Sequence, residues 1–124
     1  MSVRSARLLS GLLAGAAVTH LAVPEPYDAI VPRSLPGSPR GWTNGSAAAE
    51  LALAAALLAP ATRRPAALLT AGFFVAVFPA NVTMAYRWRR RHPALRAVAY
   101  SRLPAQLPLV LWALKVAREA SAQD

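Results

Sequence analysis

Five polar side chains interrupt the apolar stretches of this chain, and their types suit head-group binding, proton transfer or an internal salt bridge. They are His20, Glu50, Asn81, Arg102 and Gln106. His20 lies near the end of the first stretch and Glu50 near the start of the second. Asn81 lies near the end of the third stretch, and Arg102 and Gln106 lie near the start of the fourth. If the four stretches cross a membrane in alternating directions, all five residues fall in the same half of the bilayer. Polar groups are costly in hydrocarbon, so such a layer predicts a site or an internal lock.

The carboxylate and the guanidinium of this layer predict a salt bridge between Glu50 and Arg102. A helix rises 1.5 Å per residue, which puts Glu50, Asn81 and Arg102 about 8–10 Å below the headgroups. Gln106 lies one turn deeper than Arg102 on the same helix face. An unpaired arginine in the bilayer costs at least about 2.5–3.5 kcal/mol, so pairing is expected. Asn81, Gln106 and His20 then fill the remaining hydrogen-bond positions.

Three functions are compatible with this polar layer. In the first interpretation it forms a pocket for a small polar or amphipathic molecule such as a quinone head. Alternatively it only holds the helices together, as polar residues do in membrane bundles. In the third interpretation Glu50 titrates in a small proton-coupled carrier. The sequence leaves open whether the protein is an enzyme and assigns no catalytic residue.

The composition excludes several kinds of site. The chain of 124 residues has no cysteine, which rules out thiolate metal sites and thiol redox relays. No metal site is predicted, because His20 and Glu50 are the only plausible ligands within the apolar stretches. The net charge of +9 does not predict nucleic-acid binding, since the arginines flank the apolar stretches. Arginines in that position contact lipid headgroups, so the expected partner is a lipid bilayer.

The predicted fold class is all-α, a four-helix transmembrane bundle forming a single domain over 1–124. The chain is 56% hydrophobic and 15% charged, and alanine and leucine favour helix over strand. A span needs about 20 apolar residues, which predicts helices over 6–23, 43–60, 65–87 and 94–117. The first of these also has features of a signal peptide.

Prolines and glycines add detail to these helices. The segment 24–42 contains five prolines and is predicted to be a loop over one end of the bundle. Pro79 predicts a kink near Val75 and Val77, and the pair Pro104 and Pro108 predicts a bent or locally opened fourth helix. Gly11 and Gly15 form a GxxxG pair, which is typical of close helix contacts within a bundle or between copies in a homo-oligomer.

Four short motifs, which follow one another along nearly the whole chain, resemble the DoxX-like membrane proteins of bacteria. They are T-H-L-A-V-P-E-P-Y-D-A-I-V-P-R-S-L-P at 19–36, A-E-L-A-L at 49–53, F-P-A-N-V at 78–82 and R-L-P-A-Q-L-P at 102–108. The resemblance implies a four-helix, multi-pass protein of the bacterial inner membrane. Some members are named for a quinone-linked thiosulfate-oxidising complex, so the resemblance implies a small subunit that serves a redox partner. It implies no single activity.

The resemblance also covers particular positions. The positions that match the family pattern are His20, Pro24, Pro32, Pro36, Glu50, Pro79, Asn81, Arg102, Pro104 and Gln106. The chain departs from the pattern around the histidine, where Ala17 and Leu21 replace the expected glycine and phenylalanine. The resemblance therefore includes all five residues of the polar layer.

Overall fold

The computed structural model describes residues 2–123, and it describes side chains over residues 3–120. The two terminal residues of the predicted domain, 1 and 124, lie outside the described residues. Residues 2–123 contain helices and no strand, which confirms the all-helical prediction. The helices are α1 (Ser2–Ala22), α2 (Pro24–Asp28), α3 (Pro39–Leu58), α4 (Arg63–Ala76), α5 (Phe78–Arg87) and α6 (Pro93–Gln123).

The start of α3 lies earlier than the sequence predicted. The hydroxyl of Ser38 accepts a hydrogen bond from the Gly41 amide at 3.1 Å and caps the helix, while Pro39 occupies its first turn. A serine cap followed by proline is a favourable helix start. The prediction of a helix over 43–60 preceded by a loop was therefore wrong at its beginning, and Trp42 belongs to α3.

The third predicted helix, 65–87, is divided into α4 and α5 at Val77. Proline at position 79 has no amide hydrogen to continue the ladder. The Val77 amide still bonds to the Phe73 carbonyl at 3.0 Å, and the carbonyl of Val77 accepts from Ala80 and Asn81. The interruption predicted from Pro79 is confirmed at Val77, and Asn81 lies just after it, in the first turn of α5.

The fourth predicted helix, 94–117, is longer than expected and is not opened. One helix of 31 residues runs from Pro93 to Gln123 with Pro104 and Pro108 inside it. Each proline removes one donor, but the hydrogen-bond ladder continues on both sides. Arg102 and Gln106 therefore lie on one continuous helix.

Two apolar clusters lie at different levels of the bundle. The larger one joins α1, α3, α4 and α6, and its fully buried side chains include Leu9, Leu13, Leu57 and Val116. The smaller one consists of Ile30, Met84 and Ala99 with the neighbouring Ala80 and Trp88. On α5 and α6, Asn81, Arg102 and Gln106 lie between the two clusters, while His20 and Glu50 lie on α1 and α3 beyond the larger cluster.

One helical stretch in the described part of the chain is long and apolar enough to cross a membrane. It is Arg63–Arg87, which includes both α4 and α5. A single stretch of this kind does not establish the four spans predicted from the sequence. The other long helices are rich in alanine and carry charged or polar residues such as Arg7, Glu50 and Arg102, which lower their mean hydropathy.

Candidate functional site

Glu50 lies against His20 and not against Arg102. Its Oε1 atom is 3.2 Å from His20 Nδ1, a contact that becomes an ion pair when the imidazole is protonated. Over residues 3–120 no carboxylate lies within salt-bridge distance of Arg102, whose Nη1 instead donates to the Met84 sulfur at 3.3 Å. The predicted salt bridge between Glu50 and Arg102 was wrong.

The reason is the arrangement of the helices around the bundle. Glu50 is on α3, which packs mainly against α1, the helix that carries His20. Arg102 is on α6, which packs mainly against α4 and α5. Counting residues along each helix gives the depth of a side chain in the bundle, but it does not give the neighbour that the side chain faces.

A second pair, Asn81 and Gln106, joins α5 to α6. The Asn81 Nδ2 atom donates to Gln106 Oε1 at 3.1 Å, and both side chains are buried. Each amide offers a donor and an acceptor, so this one bond leaves the Asn81 Oδ1 acceptor and the Gln106 Nε2 donor unused. If the oxygen and nitrogen of both amides were exchanged, one donor and one acceptor would still be left without a hydrogen bond.

A third buried atom without a hydrogen-bond partner among the described side chains is Oε1 of Glu50. His20 Nδ1 carries one hydrogen in this arrangement, and its shorter contact is with the Ala16 carbonyl oxygen at 2.6 Å. The carboxylate oxygen at 3.2 Å is therefore left without a well-formed bond. Glu50, Asn81 and Gln106 thus leave three buried polar atoms unsatisfied, one on α3 beside His20 and two in the contact between α5 and α6.

Arg102 adds positive charge to this layer. Its guanidinium is half-buried, and its charge acts on both Glu50 and His20. The sulfur of Met84 is a weak acceptor, and a guanidinium has five donors in a fixed fork. Arg102 can therefore donate to a carbonyl or anionic group that enters the layer.

A segment that we call the loop cap, residues 24–38, covers this end of the bundle. The ring of Tyr27 stacks on the ring of His20 with centroids 3.9 Å apart. The Arg87 guanidinium donates to the Ala29 carbonyl, and Ile30 is buried in the smaller apolar cluster. The loop cap thus contacts the polar layer directly through Tyr27.

Asp28 fastens the loop cap to α3. Its two carboxylate oxygens accept from Thr43 Oγ1 at 2.6 Å and from Arg40 Nε at 2.8 Å. The Thr43 hydrogen bond has the largest effect and lowers the pKa of Asp28, burial partly offsets it, and the Arg40 contact lowers the pKa further. The carboxylate stays charged over a wider pH range because its ionised form is the one that is bonded.

A cavity of about 350 Å³ opens between the loop cap, α3 and α5. Among its lining residues are Asp28, Arg33, Trp42 and Arg87, while the five residues of the polar layer are not. The cavity therefore lies at the mouth of the bundle.

Sequence reasoning missed the roles of Tyr27, Asp28 and Met84. The first two lie in α2, a five-residue helix with proline and Glu25 in its first turn. That composition is typical of a helix start and was the available signal. Met84 carried no such signal, because a buried methionine in an apolar helix is an ordinary core residue.

The family was decided by a comparison with protein-family signatures. Residues 9–117 match the domain of unknown function DUF8561. The chain belongs to the DUF8561 family. The resemblance to DoxX-like proteins was therefore wrong, because the match that covers most of the chain is to DUF8561. The short motifs occurred in the same order, but they were too brief to identify a family.

The correction also affects what the resemblance implied. The bacterial inner membrane and the association with a quinone-linked complex lose that support. No curated protein and no solved structure matches the chain. DUF8561 does not itself describe an activity, so function has to be argued from the residues.

Proposed function

We propose that the chain is a multi-pass membrane protein with four spans, formed by α1, α3, the α4–α5 pair and α6. The distribution of exposure supports this. Leu8, Leu69 and Leu107 are 58%, 66% and 64% exposed, whereas Glu50 and Asn81 are 2% and 4% exposed. Water-soluble proteins show the reverse arrangement, in which leucine side chains are usually buried and glutamate side chains exposed. A bilayer solvates the leucines and favours polar groups in the bundle interior.

The lengths and ends of the helices support the same proposal. α1 has 21 residues and α3 has 20. At 1.5 Å per residue each spans the roughly 30 Å hydrocarbon core. At one end of α5, Arg89 lies over the Tyr86 ring at 3.9 Å and Arg91 over the Trp88 ring at 5.1 Å. Aromatic rings paired with arginines are typical of a membrane interface.

We further propose that the polar layer binds the head of an amphipathic molecule. Over residues 3–120, four buried side-chain atoms have no hydrogen-bond partner, and one of them, Glu119 Oε2, is outside the polar layer. The observation that carries this proposal is that the other three, Glu50 Oε1, Asn81 Oδ1 and Gln106 Nε2, belong to the layer. A buried polar atom without a partner costs about 1–3 kcal/mol. Three such atoms, together with the Arg102 charge that acts on Glu50, favour a layer that is completed by a bound polar group.

The unused atoms suggest what kind of head group fits. Gln106 Nε2 and the Arg102 guanidinium can donate to carbonyl oxygens, while Asn81 Oδ1 and Glu50 Oε1 can accept from hydroxyl groups. A quinone offers two carbonyls and its reduced form offers two hydroxyls, so a quinone-like head matches both sets. Its apolar tail would lie in the bilayer among the exposed leucines. A redox partner was expected mainly because of the family resemblance, so the proposal is restricted to binding.

The test is mass spectrometry of the molecules that co-purify with the protein in mild detergent. The site variant replaces both amides, Asn81→Leu with Gln106→Leu, because removing both partners of a hydrogen bond is less disruptive than removing one. The control is Thr70→Val, which removes a buried hydroxyl bonded only within α4 to the Ala66 carbonyl. We expect a quinone-like amphiphile with the wild type and the control, and its loss from the folded double variant.

A defined ligand makes the same test quantitative. A short-tailed benzoquinone is titrated into each detergent-purified protein, and quenching of tryptophan fluorescence is measured. We expect the double variant to bind at least about tenfold more weakly than wild type, which corresponds to 1.4 kcal/mol. Equal affinity of the three proteins would contradict the proposed site.

A structural lock is the second candidate, and one observation favours it. The contacts His20–Glu50 and Asn81–Gln106 each join two helices. If the wild type retains nothing beyond bulk lipid and binds no quinone, the layer serves only to hold the helices. A proton-coupled carrier would instead show pH-dependent flux in vesicles that Glu50→Gln abolishes without unfolding the protein.

A further inference from the structure

We propose that the groove between α4 and α6 binds an anionic glycerophospholipid. Arg64 and Arg118 hold its phosphate, and the leucines below them contact an acyl chain. This inference rests on the membrane-spanning part of the proposed function. It does not depend on the polar layer, which lies toward the other end of these helices.

The groove is a cavity of about 310 Å³ at the end of the bundle opposite the loop cap. It is lined by Arg64, Leu68, Leu111, Leu114, Ala117 and Arg118. Arg64 belongs to the first turn of α4, and Arg118 lies toward the end of α6. Two basic side chains from different helices therefore border one apolar groove.

Both arginines are available to an anion. Arg64 and Arg118 are exposed, and over residues 3–120 neither forms a salt bridge. The nearby Lys115 and Glu119 contact each other at 3.7 Å, so their charges largely cancel. The neighbouring Arg63 differs, since it is buried and donates to the carbonyls of Leu57 and Leu58.

The order of the lining residues along the helices matches a phospholipid. Leu68 lies one helical turn from Arg64, and Leu114 lies one turn from Arg118, in both cases toward the middle of the bundle. Leu111 lies almost one turn further along α6. A phosphate at the level of the arginines would thus continue into an acyl chain along the leucines. Basic pockets between membrane helices bind anionic lipid headgroups in this way.

Native mass spectrometry in mild detergent tests the proposal with two probes, phosphatidylglycerol and phosphatidylcholine. The site variant is Arg64→Gln with Arg118→Gln. The matched control is Arg4→Gln with Arg7→Gln, which removes two exposed arginines at the same end of the bundle from outside the groove. A third arm adds inorganic phosphate as a competitor. Circular dichroism checks that each variant is folded.

We expect the wild type and the control to retain phosphatidylglycerol in preference to phosphatidylcholine. The site variant should lose about 25-fold in affinity for phosphatidylglycerol, because each near-surface arginine contributes about a factor of five. Inorganic phosphate at millimolar concentration should displace little lipid, since it cannot contact the leucines.

Three results would overturn the proposal. They are no preference in the wild type, an equal loss in the site variant and the control, and displacement by inorganic phosphate alone. The Asn81→Leu, Gln106→Leu variant separates this proposal from the polar-layer site. It should keep phosphatidylglycerol even where it loses a quinone, and the two ligands differ in mass.

Discussion

The imidazole of His20 is held between the loop cap and the bundle, with the Tyr27 ring stacked on it at 3.9 Å and an interplanar angle of 22°. On its other side Nδ1 faces the Ala16 carbonyl and Glu50. His20 therefore contacts both the loop cap, through Tyr27, and the carboxylate of the polar layer, Glu50. An opening of the loop cap would expose that histidine first.

The stacking predicts that Tyr27→Ala loosens the loop cap while Tyr27→Phe does not. An aromatic pair contributes about 0.5–1.5 kcal/mol beyond its buried area, and phenylalanine keeps the ring. We expect trypsin to cleave after the exposed Arg33 about 2–12-fold faster in Tyr27→Ala than in the wild type. Equal cleavage rates for Tyr27→Ala and Tyr27→Phe would show that the stack does not hold the loop cap closed.

The Asp28 contacts predict that the loop cap loosens in acid. Because the pKa of Asp28 is lowered in the folded protein, its contribution to stability is present above the unfolded pKa of about 3.9. That contribution is lost as the pH falls through the lower folded pKa. Amide hydrogen exchange over residues 24–38, corrected for intrinsic rates, should speed up in that range. Asp28→Asn should remove this pH dependence, and an unchanged profile in that variant would assign the effect to another group.

The Asn81–Gln106 bond predicts a non-additive double-mutant cycle. Asn81→Leu alone leaves Gln106 buried without its partner and should cost about 1–3 kcal/mol in the free energy of unfolding. Adding Gln106→Leu should cost less than the sum of the two single changes. Unfolding in detergent mixtures, followed by circular dichroism, measures all four proteins. Strictly additive values would mean that the two amides do not interact.

The buried Arg63 predicts a large effect at the turn between α3 and α4. Its Nε donates to Leu57 O at 2.8 Å and its Nη2 to Leu58 O at 3.0 Å, which satisfies the last carbonyls of α3. Arg63→Met keeps the length of the side chain but loses both bonds. We expect it to lower the free energy of unfolding by about 1.5–3 kcal/mol, the usual contribution of a hydrogen bond to a charged group.

The adjacent Arg64 provides the control for this measurement. It is exposed and has no hydrogen bond among the described side chains, so Arg64→Met should change stability by less than about 0.5 kcal/mol in lipid-free neutral detergent. Similar losses for Arg63→Met and Arg64→Met would contradict the capping role of Arg63.

The order of the long helices and the break at Val77 could be predicted from the sequence, because apolar stretches and a proline act through local rules. Pro79 has no amide hydrogen wherever it stands, and the break at Val77 follows from it. The start of α3 at Pro39 was missed because the loop prediction gave weight to the number of prolines and not to the Ser38 cap. The same applies to α2, whose first proline starts a helix.

The composition of the polar layer could be predicted, but its pairing could not. Polar residues in apolar stretches are visible in the sequence, and Glu50, Asn81 and Gln106 are indeed buried. Which residue faces which depends on how the helices are arranged around the bundle. His20 took the place expected for Arg102 because α3 packs mainly against α1. That arrangement is a property of tertiary packing and has no local signal.

The two apolar clusters hold the two ends of the bundle together to different extents. The larger cluster holds α1, α3, α4 and α6 together, whereas the smaller depends on Ile30, Met84 and Ala99. Fewer apolar contacts mean a lower free energy of local opening. The end with the loop cap can therefore separate while the other end stays assembled. An amphipathic molecule could enter the polar layer from that side without the protein coming apart.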